Sequence, residues 1–222
     1  MSIDYSVDAG VAVISINRPE RKNAITLVMR TEIERAFQAA ADDHDVRVII
    51  LRGAGSDFSA GADVSEMGGG GLRNSLLRMR HLHRMARSVA NVEKPVIAAV
   101  QGVCIGMSWA LALACDVVIA AENARFQFAF RHIGLAPDGE RPGCSTSICR
   151  RSAKEIIYSG RFVSGTEAQS LGLALEATER RGPGQGFGAG SELCDRTDSG
   201  SGYGQATVQG CTGPDLRSGA RL

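Results

Sequence analysis

The longest apolar stretch of the sequence, VIAAVQGVCIGMSWALALACDVVIAA at residues 96–121, limits the possible folds more than any other feature. It is long enough to cross a membrane, but Gly102 and Gly106 interrupt it and Asp116 lies within it. A membrane span needs about 20 apolar residues without such breaks. We therefore expect two buried strands with a glycine turn and a helix between them, at 96–100, about 106–115 and 117–121.

Other segments alternate between strand and helix patterns. Residues 46–55, VRVIILRGAG, form a continuous β-branched run, which is typical of a buried parallel strand. A strand is also predicted at 11–19, a basic amphipathic helix after the glycines of 68–95, and two short helices in 152–174. An amphipathic helix within 23–43 follows from apolar residues at helical spacing: Leu27, Ile33, Phe37 and Ala40. This alternation predicts an α/β fold with a mostly parallel sheet.

Composition narrows the class of protein. The chain has 222 residues, of which 44% are hydrophobic, so it can form one substantial packed domain. A net charge of +1 and 5% aromatic residues argue against nucleic-acid and membrane-surface partners. The first ten residues lack the pattern of a signal peptide, so a cytoplasmic protein is expected. Six cysteines form no CxxC pair, which predicts reduced thiols and no metal site.

Two segments depart from these patterns. Residues 139–151 have no periodicity, and from Gly182 onward the chain has 11 glycines in 41 residues with few large apolar side chains. Such a tail cannot bury enough apolar surface to offset its ordering entropy, so we expect disorder there. The predicted organisation is a core at 1–175, atypical at 139–151, followed by a glycine-rich tail at 176–222.

Two turns rich in small residues follow two of the predicted strands. Ala60-Gly61-Ala62 comes after the strand at 46–52, and a second turn leads to Met107 after the strand at 96–100. The carboxyl ends of parallel strands meet at one edge of a sheet, where binding sites form. The N–H groups of Ala62 and Met107 are therefore predicted to converge on one oxygen as an oxyanion hole. Ordinary tight turns are the alternative.

Four ordered stretches resemble the crotonase superfamily, the enoyl-CoA hydratases and isomerases. They are INRPERKNAIT, VIILRGAGSDFSAGADVSEM, KPVIAAVQGVCIGMSWALALACDVVIAA and ARFQFAFRHIGLAPDG. The resemblance covers about residues 5–138 and 152–175. It implies a spiral of repeated ββα units, an acyl-CoA substrate with CoA as part of that substrate, no separate cofactor, and a homotrimer or hexamer. In the family, C-terminal helices pack the trimers, whereas residues 139–151 and 182–222 lack helical periodicity here. We therefore hypothesise that these two segments are read out of frame, which resequencing of the gene tests.

The resemblance also implies roles for individual residues. Ala62 and Met107 supply the oxyanion hole, and Lys22 and Ala24 contact the CoA nucleotide. Asp63 is expected to cap the following turn rather than act as a base. The full set expected to contact substrate is Lys22, Ala24, Ala60, Ala62, Asp63, Val64, Met107 and Phe130.

The reaction is predicted from the family's two catalytic glutamates, whose positions are Ala110 and Phe130 here. Neither side chain exchanges a proton, but Asp138 in IGLAPDG matches isomerases of the family, closest in motif to those of the phenylacetate pathway. One carboxylate suffices to move a proton between carbons of an enoyl chain. Isomerisation with Asp138 as acid/base is therefore predicted, with an apolar surround raising the pKa of that carboxyl. The alternatives are hydration, or acyl-CoA binding without turnover with Asp138 as a turn residue.

A different class of enzyme is also open. GMSWA at 106–110 resembles the nucleophile elbow of serine hydrolases, with Ser108 as the nucleophile. Only one histidine, His132, follows Ser108 in the sequence. Their separation along the chain is shorter than is usual for the serine, acid and histidine of a hydrolase triad. His81 and His83 are two residues apart on a predicted helix, so they do not face each other as metal ligands would.

Overall fold

The computed structural model of the chain describes residues 2–66, 71–134 and 150–179. Nine strands and five α-helices alternate along these ranges. The strands are β1 Ile3–Asp8, β2 Val11–Ile16, β3 Val48–Gly53, β4 Val96–Val100, β5 Val103–Ile105, β6 Val117–Ala121, β7 Arg125–Gln127, β8 Val163–Ser164 and β9 Glu176–Thr178. The helices are α1 Leu27–Asp42, α2 Gly71–Ala90, α3 Met107–Leu113, α4 Arg150–Ser159 and α5 Gly165–Ser170.

The larger sheet has six strands in the order β1-β2-β3-β4-β6-β9. Only β1 and β2 are antiparallel, joined by a hairpin, and the other neighbours are parallel. Every residue of β4 is buried, as expected for a central strand covered on both faces. The carboxyl ends of β3 and β4 therefore lie side by side, which places the loops after them next to each other.

A second, three-stranded sheet has the order β5-β7-β8. Its first strand also pairs with the loop that follows β3. The N–H of Ser59 donates to the carbonyl of Val103 at 3.0 Å, and the N–H of Ile105 donates to the carbonyl of Ser59 at 3.1 Å. The small sheet thereby fixes the β3 loop beside the start of α3.

Helices α1 and α2 pack against each other. Thr26 caps α1, since its hydroxyl accepts a hydrogen bond from the N–H of Met29 at 3.2 Å. Ser164 caps α5 in the same way, since its hydroxyl accepts a hydrogen bond from the N–H of Glu167 at 3.1 Å. Of the apolar residues predicted at helical spacing in α1, Ile33, Phe37 and Ala40 are buried, whereas Leu27 is half-buried. Met29 is also buried on this side.

The predicted α/β class is confirmed, and so is the division of residues 96–121 into strand, turn, helix and strand. No helix within the described ranges is long and apolar enough to span a bilayer. Strand β9 at Glu176–Thr178 lies just beyond the boundary predicted after residue 175 and pairs with β6 inside the main sheet. Helix α4 begins at Arg150, inside the atypical segment. Residues 135–149 and the tail from 180 lie outside the described residues.

Candidate active site

The first predicted donor, Ala62, lies where the β3 loop forms a parallel bridge with Ile25. The N–H of Ile25 donates to the carbonyl of Gly61 at 2.7 Å, and the N–H of Asp63 donates to the carbonyl of Ile25 at 3.0 Å. These two bonds use the carbonyl of Gly61 and the N–H of Asp63, the backbone groups that precede and follow the N–H of Ala62. That N–H itself has no acceptor among the described residues, so it is available to a ligand.

The second predicted donor, Met107, is the first residue of α3. The first N–H groups of a helix have no intrahelical acceptor, and that of Met107 finds none elsewhere in the described part of the chain. The preceding Gly106 has a φ of 59° and donates its own N–H to the carbonyl of Gln127 at 2.7 Å. This bond holds the start of α3 against the end of β7.

Gly61 brings the two donor segments into contact. A Cβ atom at this position would lie 2.4 Å from the carbonyl oxygen of Ile105 and 3.6 Å from the backbone nitrogen of Met107. The φ of Gly61 is also +92°, which L side chains rarely adopt. Only glycine therefore allows this approach, which sets the free N–H groups of Ala62 and Met107 on adjoining segments.

Ser108 joins the same two segments from inside the core. Its side chain is completely buried. Its hydroxyl accepts from the N–H of Ile105 at 2.8 Å and lies 2.7 Å from the carbonyl oxygen of Ser59, to which it donates. A nucleophile must reach its substrate, and this hydroxyl is engaged and without solvent access. The serine hydrolase alternative is therefore wrong for this site.

The loop at residues 22–24 is held by a residue that the sequence analysis did not single out, Asn23. This asparagine is fully buried, with a left-handed φ of 56°. Its Nδ2 donates to the carbonyls of Ala54 and Asp57 at 2.8 and 2.7 Å, and its Oδ1 accepts from the N–H of Arg18 at 2.8 Å. Asparagine tolerates left-handed turns better than most residues, and this property is the sequence signal that could have identified it.

Asp63 makes the turn cap that the sequence predicted. Its Oδ1 accepts from the N–H of Ser65 at 3.0 Å and from the Ser65 hydroxyl at 2.7 Å. Its Oδ2 forms an ion pair with Arg18 at 2.5 Å. Hydrogen bonds from Arg18 and Ser65 lower the pKa of the Asp63 carboxyl from 3.8 to about 2. A carboxylate held ionised in this way is a poor general base near neutral pH.

This ion pair predicts a pH-dependent stability. Because the pKa of Asp63 is lower in the folded protein, its contribution is complete above about pH 4 and lost as the pH falls toward about 2. We expect Asp63→Asn to lower the free energy of unfolding at pH 7, and the difference from wild type to shrink across that window. Urea denaturation at several pH values measures both.

A double-mutant cycle supplies the control for this prediction. In an Arg18→Gln background the carboxylate has lost its charged partner, so the Asp63→Asn difference is expected to be smaller and less dependent on pH. A difference that stays constant from pH 7 to pH 2 in the wild-type background would show that the pair does not stabilise the fold.

A stack of aromatic rings begins on α3, two residues after Met107. Trp109 stacks on Phe128 with ring centroids 4.2 Å apart and lies 5.3 Å from Phe126. Phe128 is followed in the stack by Phe130 at 6.0 Å. Trp109 is completely buried, and its indole Nε1 has no hydrogen-bond partner among the residues that the structure describes. Ala110, on the turn of α3 after Met107, is half-buried. At the positions of the family's two glutamates, this chain therefore carries the apolar side chains of Ala110 and Phe130.

The other predicted site residues differ in exposure. Ala24, Ala60 and Phe130 are half-buried, whereas Lys22 is exposed and the whole residue Val64 is 69% exposed. The carbonyl of Lys22 accepts a bond from the N–H of Ala60 at 2.8 Å, which ties the two predicted CoA-binding loops together. Asp138 lies outside the described residues.

The remaining titratable candidates are structural or peripheral. His132 is exposed, with its Nε2 3.4 Å from the carbonyl of Gly160. Cys104 and Cys115 are free and buried, and burial raises the pKa of both thiols well above the ordinary value. Within the ranges that the structure covers, no cluster of His, Cys, Asp or Glu side chains is suited to a metal ion.

Comparisons with known proteins agree with this geometry. A family model described as Enoyl-CoA hydratase/isomerase matches residues 6–180. A Mycobacterium tuberculosis protein named Probable enoyl-CoA hydratase echA14 is 41% identical over 174 residues, which are 77% of this chain and 67% of that relative. A Bacillus subtilis protein named Putative enoyl-CoA hydratase/isomerase YhaR is 33% identical over 186 residues, which are 83% of this chain and 72% of that relative.

Solved structures give the same result for the fold. An enoyl-CoA hydratase/isomerase (crotonase) from Legionella pneumophila superimposes with a TM-score of 0.81 at 28% identity, covering 94% of this chain and 80% of that one. The match of the family model over most of the chain, and the identity to the mycobacterial relative, establish the relationship. The chain belongs to the enoyl-CoA hydratase/isomerase family and has the crotonase fold.

Proposed function

We propose that this protein moves the double bond of an enoyl-CoA along its acyl chain. The N–H groups of Ala62 and Met107 hold the thioester oxygen, and the carboxylate of Asp138 carries the proton. CoA is part of the substrate in this proposal, and no separate cofactor is required. The trimeric or hexameric assembly and the cytoplasmic location implied by the sequence remain expectations.

One observation carries the choice of isomerisation over hydration, namely the apolar side chains at Ala110 and Phe130. The resemblance places the two water-activating glutamates of the family at these positions. Ala110 lies one helical turn after Met107, and Phe130 ends the aromatic stack. Neither can position or deprotonate water. Asp63, the carboxylate beside the proposed hole, is already engaged by Arg18 and Ser65.

The proposed reaction needs one base and one pair of hydrogen-bond donors. Asp138 removes a proton from C2 of a 3-enoyl thioester, and the electron pair delocalises onto the thioester oxygen. The N–H groups of Ala62 and Met107 stabilise the negative charge that develops there. Asp138 then returns the proton to C4, which leaves the double bond between C2 and C3. No atom is gained or lost, and the carboxylate is regenerated.

Hydration is the second candidate, because relatives at 33–41% identity carry hydratase names. In that case water would add across a 2-enoyl-CoA to give a 3-hydroxyacyl-CoA. The same purified chain distinguishes the two reactions if a 3-enoyl-CoA and a 2-enoyl-CoA are supplied separately and the products are separated by chromatography.

We expect the 3-enoyl-CoA to be converted to the 2-enoyl isomer faster than any hydroxyacyl-CoA forms. Asp138→Asn should lower that rate on the order of 10²-fold or more, since a general acid/base contributes roughly 10²–10⁴-fold. Asp8→Asn, an exposed carboxylate of the β1–β2 hairpin, is the matched control and should leave the rate unchanged.

Two results would contradict this assignment. Dominant formation of hydroxyacyl-CoA would replace isomerisation with hydration and remove the role given to Asp138. A melting temperature that rises with acetoacetyl-CoA, without turnover of either substrate, would indicate an acyl-CoA-binding protein. A rise in the melting temperature reports ligand binding to the folded state independently of catalysis.

A further inference from the structure

The aromatic stack beside the proposed hole has an open end. Trp109 and Phe128 are 0% and 1% exposed and stack with an interplanar angle of 20°. Phe130 continues the stack at 22° but is only half-buried. Phe130 is therefore the member of this three-ring stack that retains substantial accessible surface.

The open end lies close to the proposed hole because the backbone connects them directly. The hydrogen bond from Gly106 to Gln127 joins the start of α3 to the residue before Phe128. Trp109 lies on α3 two residues after Met107, and it contacts Phe128. Ala110, on the turn after Met107, adds only a methyl group. Trp109, Ala110, Phe128 and Phe130 are therefore all apolar, and we call these four residues the apolar wall.

We propose that Phe130 selects substrates with an aryl group on the acyl chain, by extending the stack with the ring of the ligand. The inference rests on the proposed function only in requiring that the site bind an acyl-CoA thioester. An aryl ring seated on Phe130 becomes the fourth ring of the series. A saturated straight chain of the same carbon number contacts the wall but makes no ring–ring interaction.

The expected selectivity is modest and measurable. Aromatic pairs contribute about 0.5–1.5 kcal/mol beyond the burial of their area, which corresponds to about two- to twelve-fold in affinity. Phe130→Leu retains an apolar side chain but removes the ring. The variant is therefore expected to lose the preference for the aryl ligand while it keeps most of its affinity for the straight-chain ligand.

The experiment compares 3-phenylpropanoyl-CoA with nonanoyl-CoA, whose acyl groups contain equal numbers of carbon atoms. Neither acyl chain contains an alkene double bond, so neither ligand is a substrate for double-bond migration and binding is measured without turnover. Calorimetric titration of the full-length chain gives the two affinities. Trp109 is the single tryptophan of the sequence, so its fluorescence reports whether a ligand reaches the stack.

Two further variants make the comparison specific. Phe130→Tyr keeps the ring and is expected to keep the preference. Phe162→Leu removes a ring outside the stack, one that lies under the Arg125 guanidinium with 4.0 Å between the guanidinium carbon and the ring centroid. This control is expected to leave the ratio of the two affinities unchanged.

The proposal is supported if the wild-type protein prefers 3-phenylpropanoyl-CoA and Phe130→Leu lowers that preference by about two- to twelve-fold. Equal weakening of both ligands, or no preference in the wild type, would overturn it. These outcomes are separate from a failure of isomerisation, which appears only in turnover of a 3-enoyl-CoA. If neither ligand binds, both the acyl-CoA site and the selectivity are wrong.

Discussion

Gly61→Ala is expected to reduce turnover per folded molecule by about 10²–10³-fold, the effect of losing one oxyanion donor. An alanine Cβ would lie 2.4 Å from the carbonyl oxygen of Ile105, a backbone atom that cannot rotate away. The φ of +92° adds strain for any L side chain. The two segments must therefore separate, which would disrupt the oxyanion hole that we propose for the N–H groups of Ala62 and Met107. Turnover of a 3-enoyl-CoA measures the effect.

Gly10→Ala provides the matched control for this substitution. Gly10 also has a positive φ, +81°, but it lies in the β1–β2 turn, at the opposite end of β2 from the site. The atoms nearest to its added Cβ belong to the Arg47 side chain, which can move. We expect Gly10→Ala to lower the melting temperature without lowering turnover. If Gly61→Ala also lowers the melting temperature without lowering turnover, the proposed hole does not depend on the close contact between Gly61 and the carbonyl of Ile105.

Asn23→Asp is expected to lower the free energy of unfolding by about 3–5 kcal/mol, as for an uncompensated buried charge. The carboxylate keeps the shape of the amide, but it has no donor to offer the carbonyls of Ala54 and Asp57. Two acceptors would then face a buried negative charge. Urea denaturation at pH 7 measures the loss, which should diminish at low pH as the new carboxyl becomes protonated.

Asn74→Asp is the control for that measurement, because Asn74 is exposed on α2. Substitutions at such positions usually change stability by no more than about 0.5 kcal/mol. Equal effects of the two substitutions would mean that the hydrogen bonds of Asn23 do not hold the loop at residues 22–24 to the β3 loop.

The sequence alone predicted the strands that are covered on both faces. Strands β4 and β6 are continuous apolar runs and β3 begins with one at residues 48–51, a pattern typical of buried parallel strands. Strand β1 was missed because most of its residues are exposed and polar, which is usual at an edge. The three short strands of the small sheet were also missed, since two or three residues carry no measurable period.

The candidate site likewise combines features that local sequence predicted with contacts that it did not. The small residues at Ala60–Ala62 and the turn before Met107 were recognised because local sequence limits the size of side chains there. The bonds that hold these turns, from Ser108 to Ser59 and from Asn23 to Asp57, join residues 49 and 34 positions apart. No local pattern specifies such partners, so a buried serine resembled a nucleophile in sequence.

The sequence by itself determined the α/β class, the positions of the buried strands, the two small-residue turns and the family resemblance. These features depend on side-chain size and on hydrophobic period, which are properties of neighbouring residues. Only the tertiary structure decided that Gly61 contacts Ile105, that Asp63 is paired with Arg18, and that the stack from Trp109 ends at half-buried Phe130. Each of these depends on a contact between segments that folding alone brings together.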